Sequence, residues 1–218
     1  MHPHGSAGPL RAKKAHLYEG GIRVPGLIRW PSRIKAGSVS DEPMSGVDIL
    51  PTLCAIADVA VPADRRIDGA NLLPLIEGKP VPRTTPLYWQ YNRALSPPKV
   101  AMRIGDWKIL ARLDTKHPSG PPSITEEGQR IFKASELAGY ELYNLRDDIA
   151  ETRDLSAQEP ARLKEMIATL QTLYTKRATK ARPGQPGSIP ITTPRASNDR
   201  RIGSRKAGRQ RNEILSRG

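Results

Sequence analysis

Gly8-Pro9-Leu10-Arg11-Ala12-Lys13-Lys14-Ala15-His16-Leu17-Tyr18-Glu19-Gly20-Gly21-Ile22-Arg23-Val24-Pro25 opens as a basic loop rich in glycine and proline and closes on a double-glycine turn. It runs directly into an apolar segment, Val24 to Trp30, ended by Pro31. A short apolar run bounded by turn residues predicts a buried strand. Ligands collect at strand ends in open α/β sheets, so a basic loop delivered to such an end is a place to hold an anion.

The rest of the 218-residue chain sets the frame for that loop. This length fits one or two domains. A hydrophobic fraction of 37% with 21 prolines and 18 glycines predicts a loop-rich protein. The net charge of +13 is unevenly spread, because residues 180–218 hold ten Lys/Arg against two acids, Asp199 and Glu213. Basicity is thus mainly a property of the tail. The single cysteine, Cys54, excludes an internal disulfide and a multi-cysteine zinc site. No run of eighteen apolar residues occurs, so no transmembrane segment is predicted. Met1-His2-Pro3-His4-Gly5 lacks the basic and apolar regions of a signal peptide, which leaves localisation unknown.

Downstream of the opening stretch, residues 31–45 read as a surface loop. Asp48 then stands as N-cap before Ile49-Leu50-Pro51-Thr52-Leu53-Cys54-Ala55-Ile56-Ala57. Ile49, Leu50, Leu53, Ile56 and Ala57 fall at helical spacing, which predicts a short buried helix with Cys54 as an inert core residue. The Pro- and base-rich run Gly78–Thr85 is the candidate boundary. Beyond it the period changes to two. Pro86–Tyr91 is strand-like, with Trp89 and Tyr91 on one face. Lys99–Leu110 predicts a hairpin about Gly105-Asp106, and Tyr140–Leu145 supplies another edge. Residues 114–130 form a polar insertion. From Glu159 to Lys176 the period is helical again, with Leu163, Ile167, Leu170 and Tyr174 in one stripe. After Lys180 the chain is too polar and proline-rich to offset its ordering entropy, and a disordered tail is predicted.

Six segments, in order, resemble the sulfatase family of the alkaline-phosphatase-like superfamily. They are Gly8-Pro9-Leu10-Arg11 through Lys14 to Tyr18-Glu19-Gly20-Gly21 and Arg23-Val24-Pro25; Val47-Asp48-Ile49-Leu50-Pro51-Thr52-Leu53; Asp68-Gly69 with Leu72-Leu73-Pro74-Leu75; Pro86-Leu87-Tyr88-Trp89; Arg103-Ile104-Gly105-Asp106-Trp107-Lys108; and Glu141-Leu142-Tyr143-Asn144-Leu145 with Asp147, Glu151 and Leu155. Together they span about residues 8–175 and correspond to the C-terminal part of such a protein. The fold this implies is α/β: the edge of an alkaline-phosphatase-like α/β/α sheet over residues 1–79, then a small α+β subdomain over 80–179 with an antiparallel sheet and a packed helix. The basic tail is 180–218.

The resemblance implies hydrolysis of a sulfate ester, with calcium and formylglycine as cofactors of full-length members. It places Lys14 on the family's sulfate-contacting lysine; His16 is a candidate substrate contact, the other reading being a surface histidine near Tyr18. Formylglycine arises within Cys-x-Pro-x-Arg, whereas Cys54 precedes Ala55-Ile56-Ala57-Asp58, and residues 1–7 hold neither Asp nor Asn. No metal site and no cofactor are therefore assigned to this chain, and no activity is expected of it alone. Sulfate esters are the substrate class expected once the missing N-terminal part completes the site. Other readings of single residues are Glu19 orienting Lys14 or serving the turn, Lys13 taking the place of Lys14, His2 with His4 as solvent-exposed histidines, and Asp147-Asp148 as a turn. The alternative for the whole chain is a non-catalytic anion-binding protein using the loop and the tail. The tail would bind polyanions non-specifically, since it has no aromatic residue to stack on bases.

Overall fold

The computed structural model describes residues 6–114, 131 and 134–180. His2, His4, most of the 114–130 insertion and the basic tail beyond Lys180 lie outside the described residues. Four strands form an antiparallel meander in the order β1-β2-β3-β4: β1 Leu87–Gln90, β2 Val100–Ile104, β3 Trp107–Leu113 and β4 Leu137–Asn144. The β2–β3 hairpin turns at Gly105-Asp106 as expected, pairing Ile104 with Trp107. Gly105 adopts φ +56 at the first central position, where the turns that match strand twist need a positive φ.

Both faces of this sheet are covered, so its strands carry apolar residues on alternate and intervening positions alike. On one face Val100, Met102, Ile109, Ala111 and Leu142 pack against the long closing helix. That helix, α4, spans Pro160–Lys180 and presents Met166, Leu170, Leu173 and Tyr174. On the other face Ala101, Leu110, Tyr143 and Leu145 are covered by Leu17, Tyr18 and Ala94. The N-terminal basic loop is thus laid directly on the sheet, and this positions it.

The region before the sheet contains three short helices: α1 Glu19–Ile22, α2 Ile49–Ile56 and α3 Leu73–Ile76. Ile22 of α1 packs with the cluster that covers the sheet, whereas Ala70, Leu72 and Val81 form a separate small cluster with Leu75 of α3 against it. Two expectations are corrected here. The segment Val24–Trp30 is extended but is not a buried strand, with Val24 79% and Leu27 96% exposed. An isolated extended segment stays solvated when no described strand pairs with it, and the backbone of Val24 to Arg29 finds no backbone partner among the described residues.

Helix α2 forms where expected but is turned. Ile49, Leu50, Leu53 and Ile56 face solvent, whereas Pro51 and Cys54 are buried. The reason lies in Asp48, which does not cap α2 with its side chain. Its fully buried carboxylate instead accepts the Ser45 N–H at 2.8 Å, the Ala70 N–H at 2.8 Å and two Arg83 bonds at 2.8 Å each. Thr52 Oγ1 adds a bridge, donating to the Asp48 carbonyl and accepting the Leu72 N–H. These bonds fix the rotation of the helix. The predicted stripe is left outward. No described helix is long and apolar enough to cross a membrane.

Candidate functional site

The loop Gly8–Tyr18 is built by close backbone packing. Gly20 N–H donates to the Arg11 carbonyl at 2.9 Å, and His16 N–H donates to the Lys13 carbonyl at 3.1 Å. The double glycine is required by this approach. A Cβ on Gly20 would stand 2.4 Å from the Ala12 oxygen, and one on Gly21 would stand 2.2 Å from the His16 oxygen. Ala12 and Ala15 both take positive φ, +64 and +75. Left-handed backbone costs a residue with a Cβ about 1–2 kcal/mol, so the loop holds its shape only because its surroundings dictate it.

Those surroundings are polar as well as apolar. Arg11 lies over the Tyr18 ring at 3.9 Å, and its Nη1 donates to the Tyr143 hydroxyl at 2.8 Å and to the Glu151 carbonyl at 2.9 Å. Tyr18 and Tyr143 donate their hydroxyls to the same Glu141 oxygen, at 2.8 and 3.0 Å. Burial, then the Glu141 carboxylate, raises both phenols well above their ordinary value. They therefore stay neutral donors.

Beneath the turn lies a buried charge network. Lys108 is fully buried on β3, and its Nζ donates to Glu19 Oε1 at 2.9 Å. The same Nζ stands 2.8 Å from Glu151 Oε1, a charge contact without hydrogen-bond angles. Glu151 Oε2 accepts the Glu19 backbone N–H at 2.6 Å, and Arg23 Nε donates to Glu19 Oε2 at 2.9 Å. Two carboxylates thus meet two cations. Burial pushes the Glu151 carboxyl up, against the pull of Lys108. Glu19 serves the turn and Lys108; it does not orient Lys14.

Lys14 is left exposed at the tip of this braced loop with no acidic partner among the described residues. His16 is half-buried two residues on. Burial first, then the positive charges of Lys13 and Lys99, lowers its pKa, so the imidazole is neutral at neutral pH. Asp148 is engaged in a turn, accepting from the Thr152 hydroxyl and the Arg153 N–H. Asp147 accepts from Asn144. Among the described residues no group of three or more His, Cys, Asp or Glu could hold a metal. Cys54 is buried within α2. The described residues therefore do not fit calcium, and Cys54, followed by Ala55-Ile56-Ala57-Asp58 in place of Cys-x-Pro-x-Arg, does not fit formylglycine.

Sequence reasoning passed over Lys108 and Glu151 as a pair, because they are far apart along the chain. It also passed over the loop Tyr91–Pro98, whose Leu95 N–H donates to the Ala15 carbonyl at 2.7 Å. A lysine between Trp107 and Ile109 in a strand covered on both faces was the available signal, since such a group must be paired when buried.

Comparison with known proteins gives a consistent picture. The family model described as N-sulphoglucosamine sulphohydrolase, C-terminal, matches residues 12–112. A human steryl-sulfatase is 53% identical over 75 residues, covering 34% of this chain and 13% of that protein. A human N-acetylgalactosamine-6-sulfatase is 45% identical over 76 residues, covering 34% of this chain and 15% of that protein. The crystal structure of Ps i-CgsB superposes with a TM-score of 0.58 at 27% identity, covering 77% of this chain and 32% of the other. That protein has also been solved in complex with k-i-k-neocarrahexaose. The chain thus spans about a seventh of the length of the two curated relatives and about a third of the solved one.

Proposed function

Because this chain belongs to the sulfatase family, as a sulfatase C-terminal domain, we propose that it supplies the sulfate-holding loop of a sulfuric ester hydrolase, with Lys14 as the residue that contacts the sulfate. The observation that carries this reading is the contrast between Lys14 and its neighbours. The backbone around it is fixed by Gly20, Gly21, Arg11 and Glu19, while Lys14 itself is exposed and has no acidic partner among the described residues. A loop held in left-handed backbone at two alanines stores strain to present one group.

An exposed ammonium on a rigid loop gives electrostatic stabilisation with little reorganisation. It attracts a sulfate oxygen in the bound ester and more strongly as negative charge grows on the group in the transition state. A compact ammonium suits an oxyanion whose orientation other contacts already fix. His16, neutral at neutral pH, offers a nitrogen that donates or accepts beside it. Chemistry at sulfur itself is assigned to no residue of this chain.

Titration of inorganic sulfate into the isotopically labelled 218-residue chain tests the reading. Saturable amide shifts are expected at Ala15 and His16, absent in Lys14→Ala with the remaining spectrum retained. Shifts at these amides that persist in Lys14→Ala would overturn the assignment. Sulfate binding unaffected by Lys14→Ala but abolished by removing residues 182–218 would favour a non-catalytic polyanion-binding role.

A further inference from the structure

The loop Tyr91–Pro98, between β1 and β2, is fastened to the Lys14 loop. Leu95 N–H donates to the Ala15 carbonyl at 2.7 Å, and Leu17 N–H donates to Ser96 Oγ at 3.4 Å. Its inner positions are all committed. Ala94, Ser96 and Pro98 are buried, and Lys99 Nζ donates to the carbonyls of Ala94 at 2.5 Å and Ser96 at 3.0 Å. At its outer positions Tyr91, Arg93 and Leu95 are exposed beside the loop that carries Lys14.

The charge of this pair of loops is one-sided. Residues 8–18 and 91–99 contain Arg11, Lys13, Lys14, Arg93 and Lys99, and neither contains an Asp or Glu. Arg11 is consumed by Tyr143 and the Glu151 carbonyl, and Lys99 by the loop's own carbonyls. Lys13, Lys14 and Arg93 remain without an acidic partner among the described residues. A sulfate monoester carries a single negative charge, which Lys14 answers. Lys13 and Arg93 add two exposed positive charges to the same pair of loops, with no carboxylate in either, so a ligand with a second negative group is attracted more strongly than one with a single charge.

We propose that the Tyr91–Pro98 loop is a specificity element, and that Arg93, assisted by Lys13, binds a second anionic group of the substrate next to the sulfate held by Lys14. This rests on the assignment of Lys14 as the sulfate contact. The planar guanidinium of Arg93 accepts either a second sulfate or a carboxylate through paired N–H donors. The ligand class is therefore a sulfated molecule with at least two anionic groups, such as a disulfated sugar or a sulfated disaccharide carrying a uronate. A monosulfated apolar alcohol satisfies only half of the surface.

The test titrates the 218-residue chain with a monosulfated hexose, the same hexose disulfated, and a monosulfated disaccharide bearing one uronate. Binding is followed at the Ala15 and Leu95 amides. Each doubly anionic probe is expected to bind about tenfold more tightly than the monosulfated one, a difference of about 1.4 kcal/mol. Arg93→Ala should bring them to the same affinity, and Lys13→Ala should narrow the gap. If the disulfated probe alone gains, the second anion is a sulfate; if the uronate probe gains equally, the site accepts either. Equal affinity of all three probes, or a preference that survives Arg93→Ala, overturns the proposal even when the Lys14-dependent shifts remain. Loss of Lys14 dependence for every probe would instead refute the underlying sulfate assignment.

Discussion

Replacing Lys108 by methionine is the most demanding test of how this molecule holds its loop. Lys108 is fully buried and lies between Glu19 Oε1 at 2.9 Å and Glu151 Oε1 at 2.8 Å. Removing one partner of a buried ion pair typically costs about 3–5 kcal/mol, because the remaining charge stays desolvated. Glu19 would keep Arg23, but Glu151 would retain only the Glu19 N–H. For a folded unit of this size, about 2–4 °C per kcal/mol converts the loss to a melting temperature lower by about 6–20 °C.

The sign of the pH dependence follows from Glu151. Burial raises its folded-state pKa above the ordinary value of 4.5, so the folded state binds the proton more tightly. The stabilisation from that proton is complete below pH 4.5 and is lost as pH rises through the folded value. Without Lys108 this window widens upward, so the variant's deficit should be large at pH 8 and shrink towards pH 5. Thermal and urea unfolding of the full chain at both pH values measure it, and Lys108→Met with Glu151→Gln should recover part of the loss. A deficit below about 1 kcal/mol, or one equal at pH 8 and pH 5, would refute the reasoning.

Two further outcomes are expected. Gly21→Ala should displace the loop, since its Cβ would meet the His16 oxygen at 2.2 Å; sulfate-induced shifts at Ala15 should vanish while the amide signals of β2 and β3 persist. Asp48 is subject to burial, which alone would raise its carboxyl, but the Arg83 bonds and the Ala70 and Ser45 amides hold it below 3.8. Its stabilisation is present above pH 3.8 and lost as pH falls through the folded value, so acid unfolding of Arg83→Met should begin at higher pH than in the wild type.

The sheet and its helix were legible because their periods are local. Val100 and Met102 stand two apart on one face of β2 with Ile109 paired to Met102 across the hairpin, Gly105 marks the turn, and Leu163, Ile167, Leu170 and Tyr174 repeat as a helix face. The loop carrying Lys14 and His16 was legible from glycine, proline and charge. Segment Val24–Trp30 and helix α2 were misread in burial for one reason: an apolar run states what could be covered, and only a distant partner decides whether it is. Asp48 shows the same limit, because its bonds to Ala70 and Arg83 come from 22 and 35 positions away. The Glu19–Lys108 pair spans 89 positions, so nothing in either neighbourhood announces the other. Arg93 was obscured because its loop gains meaning only through the bond from Leu95 to Ala15.

The exposed segment Val24–Arg29 has a consequence for handling the chain in solution. An extended apolar stretch with unpaired backbone groups is a template on which another extended chain can add, copy upon copy. Two residues work against that outcome. Pro25 withdraws one amide donor from any such ladder, and Arg29 places a charge between Ile28 and Trp30. A proline and an arginine thus stand as gatekeepers against fibrous assembly in this exposed segment.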